Sequence, residues 1–117
     1  MTAPDSPLEL VATIAQPTRL RILNCLAAAP LFVSDLQDIL DVPQPTVSQH
    51  LNVLKKAQLV KDTPIAPYVL YQLQREAGAL GRMVRALLDL LVQEEALRRE
   101  RAAALDRSRT RGRAGSQ

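Results

Sequence analysis

Apolar side chains recur every three or four residues through most of the first 57 positions, which predicts a series of short amphipathic helices. Prolines separate these segments, because proline fits the first turn of a helix but not its interior. Ser34, followed three residues later by Gln37, also has the spacing of a capping box at a helix start. The predicted helices cover four segments: 8–15, 17–29, 34–40 and 45–57.

The pattern changes after residue 59. Two short strands are predicted at 60–63 and 68–73, the second with strand-like alternation, and a proline-containing tip joins them. A last helix is predicted from Arg75 to beyond Ala104, with an apolar stripe wider than one small domain can cover. This order of elements is that of a winged helix-turn-helix: two helices, then a helix-turn-helix, a hairpin and a final helix. We therefore predict a mainly α (α+β) fold of about five helices with a two-stranded β-hairpin wing.

Composition restricts the class of protein. A length of 117 residues fits one domain, which we place at 8–105 after a disordered lead at 1–7. The single cysteine excludes an intramolecular disulfide, and no segment has the apolar run of a leader or a membrane span, so we expect a cytoplasmic protein without membrane contact. No Ser-His-Asp or Cys-His arrangement and no phosphate-binding glycine loop occurs, so no enzyme is expected.

The formal charge of +3 is unevenly distributed. Residues 98–117 carry seven arginines and two acids, a net charge of +5, which leaves −2 for residues 1–97. Because such a segment buries little apolar surface, residues 106–117 are predicted to form a disordered basic tail. The tail either adds non-specific affinity for phosphates or serves only solubility.

The fourth predicted helix carries the most specific chemical pattern. Its apolar stripe of Val47, Leu51 and Leu54 predicts the buried side, and the opposite side is uncharged at its start and cationic at its end. Residues 44–57 contain no acid, unlike an ordinary solvated helix. Glutamine can bind an adenine edge in the major groove, so Gln49 is the principal candidate for base contact. The candidate DNA-binding residues, two of them at the base of the wing, are Gln44, Thr46, Ser48, Gln49, His50, Asn52, Lys55, Lys56, Lys61 and Tyr68.

Three segments resemble the ArsR/SmtB family of bacterial winged-helix repressors. They are Pro-Thr-Arg-Leu-Arg-Ile-Leu at 17–23, Gln-Pro-Thr-Val-Ser-Gln-His-Leu at 44–51 and Tyr-Gln-Leu at 71–73, which resemble the second helix, the recognition helix and the end of the wing. The resemblance covers about residues 8–97. It implies a homodimer that pairs through its first and last helices, binds an inverted-repeat operator in double-stranded DNA and lowers transcription. The candidate dimer-interface residues on those helices are Leu8, Val11, Leu80, Val84, Leu87 and Leu91.

The chain departs from the family where its metal sensors bind their ions. Thiolate sensors carry Cys-Val-Cys in the third-helix region, where this chain has Phe32, Val33 and Ser34. Other sensors use histidine on the last helix, which here has none. We therefore predict neither common metal site and no cofactor, and the sequence names no inducer. Cys25 is predicted to be a buried hydrophobe and not a redox switch.

The wing and the charge distribution leave a second function open. The tip at 64–67 lacks the arginines and glycine of many relatives, and Ile65 is uncharged. The alternative is a winged-helix module that acts by protein contact through Ile65 and the last helix, with weak or no specific DNA binding. The acid-free face of residues 44–57 favours DNA.

Overall fold

The computed structural model describes residues 6–74 and 78–115, with residues 112–115 described in their backbone only. Its elements in chain order are α1 (Pro7–Ile14), α2 (Pro17–Ala28), β1 (Leu31–Phe32), α3 (Val33–Leu40), α4 (Gln44–Lys56), β2 (Val60–Ile65), β3 (Tyr68–Leu73), α5 (Gly78–Leu91) and α6 (Glu95–Gly115). Helices predominate and a small antiparallel sheet carries the wing, so the predicted winged helix-turn-helix is confirmed.

The starts of the first two helices follow from local chemistry. Pro7 and Pro17 stand in the first turns of α1 and α2, where the N–H that proline lacks would have had no partner. Ser6 caps α1, and the side-chain oxygen of Gln16 accepts the N–H of Arg19 at 2.8 Å at the start of α2. Helix α1 therefore begins inside the lead that was predicted to be disordered, of which residues 1–5 lie outside the described residues.

Helices α3 and α4 form the predicted helix-turn-helix. Asp41 ends α3 in the left-handed region with a φ of 55°, and α4 begins three residues later at Gln44. The predicted cap of α3 is wrong, because Ser34 lies inside the first turn. The Asp35 carboxylate instead accepts the N–H of Phe32 at 2.9 Å, and the cap residue of α3 is therefore Phe32, two residues before Ser34.

The wing contains one more strand than the hairpin pattern predicted. Strands β2 and β3 pair antiparallel along their whole length, as expected. The short segment between α2 and α3 forms β1, which pairs Leu31 with Tyr71 on the other side of β3. The sheet order is therefore β1-β3-β2, and the added strand attaches the base of the wing to the helical core.

The predicted single last helix is two helices. Its expected start, Arg75, lies outside the described residues, and the chain breaks the helix after Leu91 and resumes it at Glu95. Arg98 stabilises the break, because its Nη1 donates to the carbonyls of Val92 and Gln93 at 2.8 and 3.1 Å. Apolar periodicity did not reveal this corner, since the stripe of α5 continues in register up to it.

Residues 106–115 continue α6 and do not form the predicted disordered tail. Disorder was expected because this segment offers little apolar surface to bury. Arginine side chains of α6 compensate, because they bind acidic and polar groups of α2 and α3. The α6 helix also contributes Ala104, which is fully buried, to the core.

The buried core is mainly aliphatic. It lies where α2 is enclosed by α4, α6 and the sheet, and its fully buried members include Ile22, Leu23, Leu31, Leu36, Val47, Leu51 and Leu54. This packing fixes the inward side of α4 and leaves its other side to solvent. None of the described helices combines the length and the apolar character that crossing a bilayer requires.

Candidate nucleic-acid interface

Helix α4 presents its polar residues away from the core. Val47, Leu51 and Leu54 have no exposed surface, which confirms the predicted inward side. Gln49 and Asn52 are exposed, and the side chain of neither forms a hydrogen bond within the described part of the protomer. Their amide groups are therefore available for hydrogen bonds to base edges.

The first turn of α4 contains an internal polar pair. The Nε2 of Gln44 donates to the Oγ of Ser48 at 2.8 Å, which holds the Gln44 amide along the helix. The pair leaves the Gln44 carbonyl as an acceptor and the Ser48 hydroxyl hydrogen as a donor. Thr46, half-buried, lies in the same turn. These three side chains are placed at the end of the helix that such proteins bring to bases and phosphates.

His50 lies half-buried at the flank of α4. Its Nδ1 accepts a hydrogen bond from the Nε of Arg19 at 3.2 Å, and the Nη1 of Arg19 donates to the carbonyl of Thr13 at 2.8 Å. Burial, and next the positive charge of Arg19, lower the pKa of His50 below its ordinary value of 6.5. The ring is therefore neutral near pH 7, in keeping with a packed or phosphate-adjacent histidine.

The lysines at the end of α4 and in β2 differ in whether an acidic side chain pairs with them. Lys55 donates from Nζ to the Oδ2 of Asp62 at 2.9 Å, and this hydrogen bond, followed by the attraction of the carboxylate, raises the pKa of Lys55. Lys56 and Lys61 are exposed and form no ion pair with the described residues. The sequence did not predict an ion pair for Lys55, because Asp62 lies outside residues 44–57, which contain no acid.

The wing carries an aromatic and an apolar side chain beside its tip, where Tyr68 of β3 pairs with Ile65 of β2. Tyr68 is 65% exposed, and its ring packs edge-on against Phe32 with the centroids 5.9 Å apart. Ile65 is 47% exposed at the tip. Lys61 pairs with Gln72 at the base of the wing, so the predicted position at the base is confirmed for Lys61 and is wrong for Tyr68.

Comparison with known proteins identifies the family. The model of bacterial regulatory proteins of the arsR family matches residues 16–62. The biofilm growth-associated repressor of Agrobacterium fabrum is 35% identical over 86 residues, which cover 74% of this chain and 72% of that protein. The chain belongs to the arsR family of bacterial regulatory proteins. The HTH-type transcriptional regulator Rv2034 of Mycobacterium tuberculosis is 44% identical over 62% of this chain and 68% of its own length.

Solved structures agree with this assignment. The transcriptional repressor BigR from Xylella fastidiosa superposes with a TM-score of 0.65 and 27% identity, covering 74% of this chain and 85% of that one. Reduced HlyU from Vibrio cholerae superposes with a TM-score of 0.62 and 31% identity, covering 71% of this chain and 85% of that one. This arsR-family protein is therefore a DNA-binding transcriptional regulator, and its relatives carry the names of regulators, not of enzymes.

Two arginines in the second half of α6 pair with acidic side chains of α3. Arg107 pairs with Asp35 and Asp38, each at 3.0 Å, and Arg111 pairs with Asp35 at 2.6 Å. The guanidinium carbon of Arg111 also lies 4.8 Å from the centroid of the Phe32 ring, a cation–π contact. We call these four charged residues the arginine clasp. It attaches α6 to the first helix of the helix-turn-helix of this regulator.

A second set of polar contacts attaches α6 to α2. Both carboxylate oxygens of Glu100 accept from the Nε of Arg21 at 3.1 Å, and this bond, against burial, raises the pKa of Arg21. The buried Asn24 donates from Nδ2 to the Leu97 carbonyl at 2.8 Å and accepts from the Nε of Arg101 at 3.1 Å. Local sequence patterns contain no signal for these partners, because they lie more than 70 residues apart.

Cys25 lies under α6 and is fully buried, as predicted. Its Sγ lies 3.8 Å from the carbonyl of Glu100. Burial, and next the carboxylate of Glu100, raise the pKa of the thiol to about 12. The thiol is therefore protonated and shielded at neutral pH, which is the opposite of a reactive cysteine.

The candidate dimer residues divide into two groups. Leu8 is 82% exposed on α1, and Val11 and Leu80 are also exposed, so these three are available to a second chain. Val84 is buried within the protomer, and Leu87 and Leu91 pack in part against its core. Leu90, which is 65% exposed on α5, was missing from the candidates although it lies in the same wide stripe.

Metal ligands are scarce in the described residues. No three side chains of His, Cys, Asp or Glu among them lie close enough to share an ion. Phe32 and Ser34, at the positions where thiolate sensors have cysteine, belong to the sheet edge and to the first turn of α3. The absence of a sensory metal site stays a prediction.

Proposed function

We propose that this protein is a transcriptional repressor that binds an inverted-repeat operator as a homodimer. One observation carries the proposal: α4 has a side free of acids, on which Gln49 and Asn52 are exposed and form no bond within the described protomer. A helix with that surface fits the major groove, where an amide can bind adenine with two hydrogen bonds. Repression is supported by the related biofilm growth-associated repressor.

The homodimer is supported by apolar side chains on the two helices through which the family is expected to pair. Leu8 and Val11 on α1 and Leu80 and Leu90 on α5 are exposed. Burial of apolar surface contributes about 25 cal/mol per Å², so a second copy covering these side chains would be favoured. Two copies related by a two-fold axis place their α4 helices in successive major grooves about 34 Å apart, which requires an operator with inverted half-sites.

We further propose that neither common metal site regulates this repressor. Phe32 and Ser34 stand where the thiolate sensors carry ligands, and the single histidine of the chain belongs to α4. Soft divalent metals need nitrogen and sulfur donors that these positions do not offer. An inducer of this repressor would have to bind elsewhere than at these two sites.

Selection from a pool of random double-stranded DNA tests the proposal directly. We expect the full-length protein to enrich one consensus with two-fold symmetry. Gln49→Ala should weaken binding to that consensus by about 5- to 150-fold, the range for a lost bidentate base contact. Gln93→Ala, at an exposed position between α5 and α6, is the matched control and should leave the affinity unchanged. A pool without a consensus, or a consensus without symmetry, would contradict the operator model.

A module that acts by protein contact remains the second candidate, favoured by the exposed apolar tip of the wing. In that case Ile65→Ser would abolish the association with the partner protein, and no DNA consensus would emerge. In the repressor model Ile65→Ser leaves the affinity for the selected consensus nearly unchanged, because the isoleucine has no charge to offer a phosphate. The same variant therefore separates the two functions.

A further inference from the structure

Arg19 joins three elements of the fold around the recognition helix. Its backbone N–H is capped by Gln16 at the start of α2, its Nη1 donates to the carbonyl of Thr13 at the end of α1, and its Nε donates to the Nδ1 of His50 on α4. The two side-chain bonds measure 2.8 and 3.2 Å. One guanidinium therefore connects a helix of the expected dimer interface to the helix that faces DNA.

The bond from Arg19 selects one form of the His50 ring. Arginine can only donate, so Nδ1 must be the acceptor, and the proton of the neutral ring lies on Nε2. No second hydrogen bond to this ring occurs among the described residues. No buried side-chain nitrogen or oxygen of the described protomer lacks a partner, so Nε2 is open to solvent. His50 therefore presents one N–H donor outward.

The position of His50 on α4 determines what that donor can reach. The inward side of α4 is fixed by Val47, and Gln49 and Asn52 lie on the outward side that faces base edges. His50 is half-buried between these two sides. When a helix lies in the major groove, its flanks face the walls of the groove, which are lined by phosphates.

We propose that Arg19 is a positioning residue for DNA recognition, which holds the Nε2–H of His50 toward a phosphate of the operator while it fixes α4 to the end of α1. The inference deepens the proposed function and rests on it. Arg19 acts through His50, so its loss removes an oriented donor as well as a local support. The phosphate contact positions the helix and carries no base specificity of its own.

Nuclear magnetic resonance of the imidazole nitrogens tests the first half of the inference. The chain has a single histidine, so ¹⁵N-labelled histidine gives one pair of ring signals that need no assignment. In the wild-type protein at pH 8 we expect the proton on Nε2 and an unprotonated Nδ1. Arg19→Lys, which keeps the charge but loses the planar fork, should give mixed tautomers. A wild-type ring with its proton on Nδ1, or a ring unaffected by Arg19→Lys, would overturn the proposal.

Binding measurements on the selected DNA consensus test the second half. We expect about a tenfold loss of affinity for Arg19→Lys and for His50→Ala, as for a lost hydrogen bond to a charged group. His50→Gln keeps an N–H donor and should recover most of the loss. In the His50→Ala background, Arg19→Lys should have no further effect. Arg109→Lys, an exposed position on α6, is the charge-matched control.

The outcomes separate the inference from the proposed function. If the wild type binds no consensus, the repressor proposal and the phosphate contact both fail. If the wild type binds and Arg19→Lys binds equally well, only the positioning role fails. Full additivity of the Arg19→Lys and His50→Ala losses would also overturn it, because Arg19 would then act independently of the ring.

Discussion

Helices α4 and α6 differ in what their polar side chains contact. Helix α6 belongs to the most basic part of the chain, yet five of its six described arginine side chains donate to groups of the same protomer. Helix α4 carries only two lysines and no acid, yet Gln49, Asn52 and Lys56 bind nothing within the described protomer. The comparison teaches that the charge of a segment does not by itself locate a nucleic-acid surface.

The difference arises from where acids lie in the fold. Asp35 and Asp38 face α6, and Glu100 of α6 faces α2, so the positive charge of the last helix is balanced across the helix contacts. Around α4, Lys55 pairs with Asp62, which leaves Lys56 as the lysine of that helix without an ion pair to the described residues. A surface with few cations can attract phosphates more strongly than one with many, if the few are unpaired and the many are paired with acidic side chains.

The largest expected effect comes from opening the arginine clasp. Arg107→Ala combined with Arg111→Ala leaves the carboxylate of Asp35, a side chain only 4% exposed, without a cation. We expect the free energy of unfolding to fall by about 3 kcal/mol, since an uncompensated buried charge is costly. Urea denaturation measures this loss, and Arg109→Ala on the same helix serves as the control. A loss no larger than that of the control would show that α6 contributes little to stability.

The salt dependence of DNA binding should distinguish the two helices. Lys56→Gln is expected to reduce the slope of log affinity against log salt concentration by about 0.9, the value for one lost phosphate contact. Arg107→Gln should leave that slope unchanged, because Arg107 is engaged with Asp35 and Asp38. Equal changes in the two slopes would mean that the arginine clasp opens on DNA and that Arg107 contacts a phosphate as Lys56 does.

Lowering the pH should have a smaller effect through His50. Its pKa is lowered in the folded protein, so the unfolded chain takes up a proton first as the pH falls through the ordinary value of 6.5. The associated stability is present above pH 6.5 and is lost as the pH falls through the folded-state pKa. Thermal unfolding of wild type and His50→Gln between pH 7.5 and about 5.5 measures the difference. Parallel curves would contradict the lowered pKa.

The smallest effect is expected at Cys25. A thiol with its pKa raised to about 12 has roughly one thiolate in 10⁴ molecules at pH 8. Iodoacetamide should therefore label the native protein far more slowly than the urea-unfolded chain, and peroxide should leave DNA binding intact in wild type and in Cys25→Ser alike. Peroxide sensitivity that disappears in Cys25→Ser would show that α6 uncovers the thiol.

Sequence periodicity predicted the elements whose signals are local. The inward stripe of α4, the proline that begins α2, and the pairing of β2 with β3 all depend on residues close in sequence. Periodicity predicted neither the corner between α5 and α6 nor the helical conformation of residues 106–115. Both depend on arginines whose partners lie far away in the chain or on backbone carbonyls that no pattern reveals.

The candidate DNA surface also contains features that the sequence predicts and features that it does not. Residue types and helical projection were sufficient to select Gln49, Asn52 and Lys56, which are exposed. The partner of Lys55 and the link from Arg19 to His50 were not predictable, because one requires the register of β2 against α4 and the other the crossing of α2 and α4. Position on a helix is therefore readable from sequence, whereas the partners of a charge are not.

The sequence separation between Asp35 and its arginine partners affects how the protein folds during synthesis. Its two arginines follow it by 72 and 76 residues, and the partners of Asn24 follow by 73 and 77. During synthesis α2, α3 and α4 leave the ribosome long before α6 exists, so a buried carboxylate and a buried amide must wait for the last helix to receive their partners. We expect the nascent DNA-reading motif to become rigid only when α6 emerges from the ribosome, so that competence to bind DNA depends on a helix that is made well after the helix that reads it.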